Sequence, residues 1–191
     1  MVIMIETGIL GGISQCSNRQ AKANNKYLGE KFDNSKEFTF LEYLDANNLY
    51  GWAMSKYLPY AGFRWGSTDL NVLNIPDDSP KGYILEVDLS YPKALHDLHS
   101  DLPLAPENKI GNEKIPKLLT TLYDKEKYVV HYTTLKQYLQ QGLKLEKINK
   151  VLEFNQSDWL KVHIDFNTAL RTKATNDFEN DFFKLMNNSV R

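Results

Sequence analysis

Apolar residues in this chain fall into short runs broken by polar turns, and the period of those runs changes along its length. Phe38-Thr-Phe-Leu-Glu-Tyr-Leu44 is aromatic-rich and almost continuously apolar, which predicts a buried strand ending at Asp45. Asn47 and Asn48 break it, and the span from Trp52 to Tyr57 predicts a short helix before Pro59. Residues 66–81 are rich in Asp, Asn, Ser and Pro, the composition of a surface loop. Tyr83-Ile-Leu-Glu-Val-Asp-Leu89 reads as a second strand, halted by Tyr91-Pro92. A helix from Lys93 to about His99 is expected next, then a loop punctuated by Pro103, Pro106 and Pro116. Asp88 fits an edge or turn-facing position of its strand.

The second half is more regular. Tyr128-Val-Val-His-Tyr132 predicts a strand, and Thr134 is placed to cap a helix that stops at Gly142. From Leu143 to Phe154 the pattern suits a bent strand or a hairpin. Ser157 is a candidate N-cap for a helix to about Thr175, with Trp159, Val162, Phe166, Ala169 and Leu170 at helical spacing. Asn176 followed by Glu179 makes a capping box, so a second helix is expected to start there. Its apolar stripe is Phe178, Phe182, Leu185, Met186 and Val190. Strands segregated from helices, without regular alternation, give an α+β class.

Composition narrows the picture only a little. A chain of 191 residues can bury roughly 70% of its unfolded surface, enough for a substantial core. The net charge of −1 gives no overall attraction to nucleic acid, so any such contact must use local clusters such as Lys144, Lys147, Lys150 and Lys161. One cysteine, Cys16, excludes an internal disulfide. The opening Met1-Val2-Ile3-Met4-Ile5 is interrupted by Glu6 and lacks preceding basic residues, so neither a signal peptide nor a membrane span is expected. It reads as an element whose packing partner lies upstream. No membrane partner is implied, and the compartment stays open beyond an intracellular, nuclear or viral replication site.

Chemistry concentrates at two places. A strand ending in a carboxylate, as Asp45 would, holds an oxygen rigidly enough to bind a divalent metal, although Asp before Asn-Asn is also ordinary turn chemistry. On the last helix Lys184 and Asn188 are four apart and project together from the side opposite the apolar stripe. His96 and His99, three apart, are read as surface residues. His131 and His163 are read as packed, and Trp52, Trp65 and Trp159 as core.

Asp45-Ala-Asn-Asn-Leu-Tyr50 is similar to the Asp-x-x-(Ser/Asn)-Leu-Tyr palm motif of family B DNA polymerases. Lys184-Leu-Met-Asn-Asn188-Ser189-Val resembles their Lys-x-x-x-Asn-Ser-x-(Tyr/Phe)-Gly finger motif. Gly11-Gly12 resembles the Tyr-x-Gly-Gly junction between exonuclease and polymerase domains in the protein-primed branch. Further segments look like the viral and Polinton/Maverick transposon members. Two motifs in the right order are more specific than either alone.

The resemblance implies a partial palm sheet with an inserted loop-rich region and a two-helix fingers segment. On that reading residues 1–35 form the junction, 36–65 the palm with its first metal aspartate, 66–127 an insertion or palm, 128–156 palm strands and helix, and 157–191 the fingers. Asp45 would be the catalytic aspartate and bind both magnesium ions, with the Ala46 carbonyl assisting at one. Tyr50 would lie under the incoming sugar and reject a 2′-hydroxyl. Lys184 would contact the triphosphate, Asn188 would lie near the incoming nucleotide, and Gly11 and Gly12 would contact DNA. Lys173 is a second candidate cation for the triphosphate. On one straight helix it would sit about 16 Å from Lys184, so it contributes only if the chain turns at Asn176.

The paired-carboxylate motif of the family, Asp-Thr-Asp, does not occur in the chain, and Arg191 stands where the family has an aromatic residue. At most one weak magnesium site is therefore expected. Implied partners are a DNA primer-template, dNTPs and a terminal priming protein. Two readings stay open: a DNA-directed DNA polymerase fragment, inactive alone, or a non-catalytic relic of a mobile element that binds nucleic acid weakly or serves as an interaction module.

Overall fold

The structure is a computed structural model and describes residues 1–14, 16, 19–46, 48–110 and 116–190. The chain divides into two compact units: Ile13–Asn48, and Met1–Gly12 together with the chain from Leu49 onward.

The larger unit is built on a four-stranded antiparallel sheet ordered β1-β6-β2-β5. The strands are β1 (Leu58–Trp65), β2 (Lys81–Ser90), β5 (Lys125–His131) and β6 (Lys144–Ser157). A separate ribbon pairs β3 (Glu107–Ile110) with β4 (Pro116–Leu119). Side chains alternate across a strand, and here both faces of the sheet find apolar cover. On one face Leu85, Val87 and Leu89 of β2 join Tyr128, Val130 and Val151. Helix α3 (Tyr132–Gln140) closes that face with Tyr132, Leu135 and Tyr138, helped by Val72 and Ala105 from loops. On the other face Met4 of α1 (Val2–Gly8) packs with Val129 and Leu152. A Cβ at Gly8 would come within 3.0 Å of Val129 Cγ1, so the end of α1 lies close against β5. The opening apolar run thus has its partner inside the chain.

Three helices complete this unit: α2 (Leu49–Met54), α4 (Lys161–Lys173) and α5 (Asp177–Asn188). Helix α2 packs against both α4 and α5. Among the described residues no helix is long and apolar enough to cross a membrane.

The smaller unit is held mainly by hydrogen bonds. Asn24 and Thr39 pair as an isolated antiparallel bridge. The Asn24 side chain donates to the carbonyls of Asp33 and Glu37 and accepts from the Asp33 N–H. A short turn of helix, Lys26–Lys31, is capped by the Asn25 side chain, which accepts from the Tyr27 N–H.

The strands around Tyr83–Leu89 and Tyr128–His131 form as the pattern predicts, as does a helix ending before Gly142, whose φ of +101° suits glycine. The region predicted as a bent strand or hairpin is one long strand, β6, bent by register shifts against β2. Several expectations are overturned. Phe38–Leu44 forms no strand, and Phe40, Leu41, Tyr43 and Leu44 are exposed, because no described strand pairs with them beyond the one bridge at Thr39. Strands β1, β3 and β4 arise where loop or no strand was expected. Ser157 ends β6 instead of capping a helix, and α4 starts at Lys161. Thr134 lies inside α3, whose N-cap is His131. The segment after Pro92 makes only a short turn of helix, Lys93–Leu95. Asn47 and Arg191 lie outside the described residues.

Candidate nucleotide-binding site

The finger-like pair is two helices, as the capping box implies. The Asn176 side chain accepts from the Glu179 N–H at 2.9 Å, and Glu179 reaches back to the Thr175 N–H at 3.1 Å. The first bond satisfies an N–H that the helix start leaves without a partner, and the second ties the residue before the N-cap to the first turn. Arg171 of α4 donates to Asn180 of α5 at 2.7 Å, and Asn187 donates to Thr168 at 3.3 Å.

The packed face of α5 is rotated from the predicted stripe. Phe178, Phe182 and Leu185 are exposed, while Asn187 is buried and Phe183, Met186 and Val190 are half-buried. The same holds on α4, where Val162 and Phe166 are exposed and Ile164 and Asn167 are buried. Helices α4 and α5 cover a narrow seam of each other, and polar Asn167 and Asn187 occupy buried positions. Sequence periodicity sees apolar residues only, so it selected the wrong side.

Lys184 is exposed, and among the described residues it has no ion-pair or hydrogen-bond partner. Asn188 is half-buried one turn on, and Lys173 is exposed in the last turn of α4. Tyr50 is 77% exposed and lies on α2, not on a turn. Tyr50, Lys173, Lys184 and Asn188 thus share the larger unit, on three helices of which α2 touches the other two. Asp45 and Ala46 belong to the smaller unit, where both are exposed on irregular chain instead of at a strand end. Gly11 and Gly12 are exposed, and a Cβ on either would meet nothing within 4 Å.

Asp45 makes no hydrogen bond or ion pair with a described residue, so its oxygens are open to a cation. Magnesium accepts one or two carboxylates together with substrate phosphates. One carboxylate and one carbonyl therefore suit a single weakly held ion and do not suit two. Among the described residues no group of three or more His, Cys, Asp or Glu could hold a metal. Asp88 is fully engaged in the fold. Its carboxylate accepts from the Lys127 N–H at 2.7 Å and from Asn149 at 2.9 Å, and the first of these bonds draws its pKa down. It sits on β2, one of the two inner strands, beside the bulges, not at an edge.

The histidines and tryptophans depart from expectation in opposite senses. His99 is buried, with Nδ1 2.7 Å from the Tyr91 hydroxyl, so it is no surface ligand. His131 is packed as predicted, and burial pushes its pKa down to about 4. Trp52, Trp65 and Trp159 are all more than half exposed, not core. Lys150 pairs with Glu86 and Lys161 with Asp165, and Lys147 lies across from Asp88 on the neighbouring strand, which leaves Lys144 as the exposed cation of that cluster without an ion pair among the described residues.

Sequence reading missed a cleft in the larger unit. Its two adjoining lobes of about 670 and 510 Å³ share Trp52, Lys56, Tyr57, Asp77, His131 and Thr133. The Lys56 ammonium lies 4.6 Å from the centre of the Trp52 ring. The spacing of Trp52 and Lys56, four apart, is the one local signal that could have pointed there. Lys136 and His131 join them only through the tertiary fold.

Compared with known proteins, this chain matches no family model, no curated protein and no solved structure.

Proposed function

We propose that this chain is a portion of a DNA-directed DNA polymerase of the protein-primed family B type, carrying its first metal aspartate and its triphosphate-binding finger helix. The observation that supports this best is the ordered motif pair, whose second member lies on the separately capped helix α5 with Lys184 exposed and without an ion-pair partner among the described residues. Phosphoryl transfer asks little covalent work of protein and much charge neutralisation, so a free lysine beside an asparagine suits an incoming triphosphate. In the complete enzyme two magnesium ions, about 3.5–4 Å apart, would neutralise the attacking and leaving oxygens. Asp45 and Ala46 would contribute one part of that set, Tyr50 the sugar contact, Lys173 a second cation, and Gly11 and Gly12 a DNA contact. DNA primer-template, dNTPs and a terminal priming protein are the partners of this reading.

A second reading, a non-catalytic module that binds nucleic acid weakly, draws on the absence of a metal-capable side-chain cluster among the described residues. On either reading this chain alone does not extend a primer. Primed template incubated with dNTPs and magnesium or manganese should show no extension. Extension that disappears with Asp45→Ala would overturn that expectation and require a second carboxylate.

A further inference from the structure

The two-lobed cleft is lined by none of Tyr50, Lys173, Lys184 or Asn188, so it is separate from the motif-matched residues. Each lobe falls within the roughly 300–1,000 Å³ of small-ligand sites. Its walls are chemically sorted. One lobe adds Lys136, Thr134, Gln137 and Gln140 to the shared residues, and the other adds Asp78, Asp158 and Lys161. Ion pairing sharpens this division. Lys161 is held by Asp165, with the Asp158 charge also acting on it, and Asp77 by Lys136, which leaves Lys56 as the cation and Asp78 as the acid without an opposite charge among the described residues.

We propose that this cleft binds a nucleoside phosphate, with Trp52 as the stacking surface, Lys56 and Lys136 meeting the phosphate, and Asp78 and Asp158 meeting the amino edge of the base. The indole of Trp52 is 61% exposed, far more than a core residue needs, and one of its faces carries Lys56. Stacking on an indole combined with a nearby cation is how proteins hold single bases with their phosphates. Lys136 uses two of its three ammonium hydrogens, on the Ile75 carbonyl at 2.8 Å and on Asp77 at 2.5 Å. The third remains for an anion, and a side chain only 15% exposed meets that anion with little water to compete. His131 bonds Thr133 Oγ1 through Nδ1 at 2.7 Å, so its other ring nitrogen has no partner among the described residues. A bare anion would leave the acidic lobe repulsive, and a bare cation would leave Lys56 so. A ligand with an anionic end, a flat ring and a donor edge satisfies all three.

Free nucleotide and single-stranded nucleic acid offer the same chemistry, and the test separates them. The full chain is titrated with dAMP, with hexadeoxyadenylate and with deoxyribose 5-phosphate, following the indole N–H signals by NMR. Trp52 is assigned by the signal lost in Trp52→Phe. The Trp52 signal should shift saturably with dAMP while those of Trp65 and Trp159 do not. With affinity of the variants read by calorimetry, Trp52→Ala should weaken binding about tenfold, within what one lost base stack produces, and Trp52→Phe should restore part of it. Exposed Lys56→Ala should weaken it several-fold, and Lys184→Ala should leave it unchanged, so the cleft stands apart from the polymerase reading. Tighter binding of the hexamer assigns the site to a strand, and equal binding assigns it to a free nucleotide. Deoxyribose 5-phosphate binding as well as dAMP, a Trp52 signal no more responsive than the other two, or full affinity in both Trp52→Ala and Lys56→Ala would overturn the proposal.

Discussion

Phe38-Thr-Phe-Leu-Glu-Tyr-Leu44 and Tyr83-Ile-Leu-Glu-Val-Asp-Leu89 are near twins in composition and opposite in fate. The second is the heart of β2, hydrogen-bonded on both edges, with Leu85 and Val87 fully buried. The first is irregular, and its Tyr43 is 94% exposed. Hydrophobicity made both candidates, and pairing decided between them. A strand is stabilised by ladder bonds and cross-strand contacts, and among the described residues Phe38–Leu44 has the bridge and side-chain bonds at Thr39 and ring contacts of Phe38 with Phe32 and Phe40 with Tyr27, with no ladder beyond them.

The largest expected effect separates the two segments directly. Leu85→Ala should lower unfolding stability by about 3–4 kcal/mol in urea denaturation, as for a fully buried leucine. A change under 1 kcal/mol would mean that the sheet is not the core.

Next comes acid. His131, at the end of β5, titrates near 4 when folded and near its ordinary 6.5 when unfolded. Between those values the unfolded chain binds more protons, so stability is full above about pH 6.5 and falls as pH drops toward 4. The loss should reach about 2–3 kcal/mol by pH 4.5, since each tenfold difference in proton affinity between the two states corresponds to about 1.4 kcal/mol. Measured at pH 7.5 and 4.5, His131→Gln should show a correspondingly smaller acid loss. An equal loss would place the titration elsewhere.

Asn176→Ala removes a bond made entirely within its own turn, and should cost about 1 kcal/mol with reduced helical signal over residues 177–188. The smallest effect belongs to the exposed twin: Leu44→Ala should stay within about 0.5 kcal/mol of wild type. A cost above 2 kcal/mol there would break the comparison, as would slow amide exchange over residues 40–45.

What was legible in the sequence follows the same division. The cap at Asn176, the stop at Gly142 and the apolar runs of β2 and β5 depend on neighbours in sequence, and they were read correctly. The burial of His99, the bond of Asp88 to a bulge and the seam between α4 and α5 depend on distant partners, and they were not. No strand was expected after Pro59, yet the register of β1 against β6 shifts around Pro59 and Ala61 and accommodates the proline. The one-turn spacing of Lys184 and Asn188 on α5 was legible because helical periodicity alone sets it. Only the spacing of Trp52 and Lys56 marked the cleft locally, because its walls come from four separate stretches of chain.

The central claim is that α5 retains a triphosphate contact that does not need Asp45. Titration of dATP, read at the α5 amide signals of wild type, Lys184→Ala and Asp45→Ala, tests it without interference from the cleft. A charge-assisted lysine–phosphate bond is worth roughly 1.5–3 kcal/mol, so Lys184→Ala should weaken binding at least tenfold. Asp45→Ala should bind as well as wild type without magnesium, and affinity should fall as salt screens exposed charge. Binding that survives Lys184→Ala and vanishes with Asp45→Ala would contradict the account.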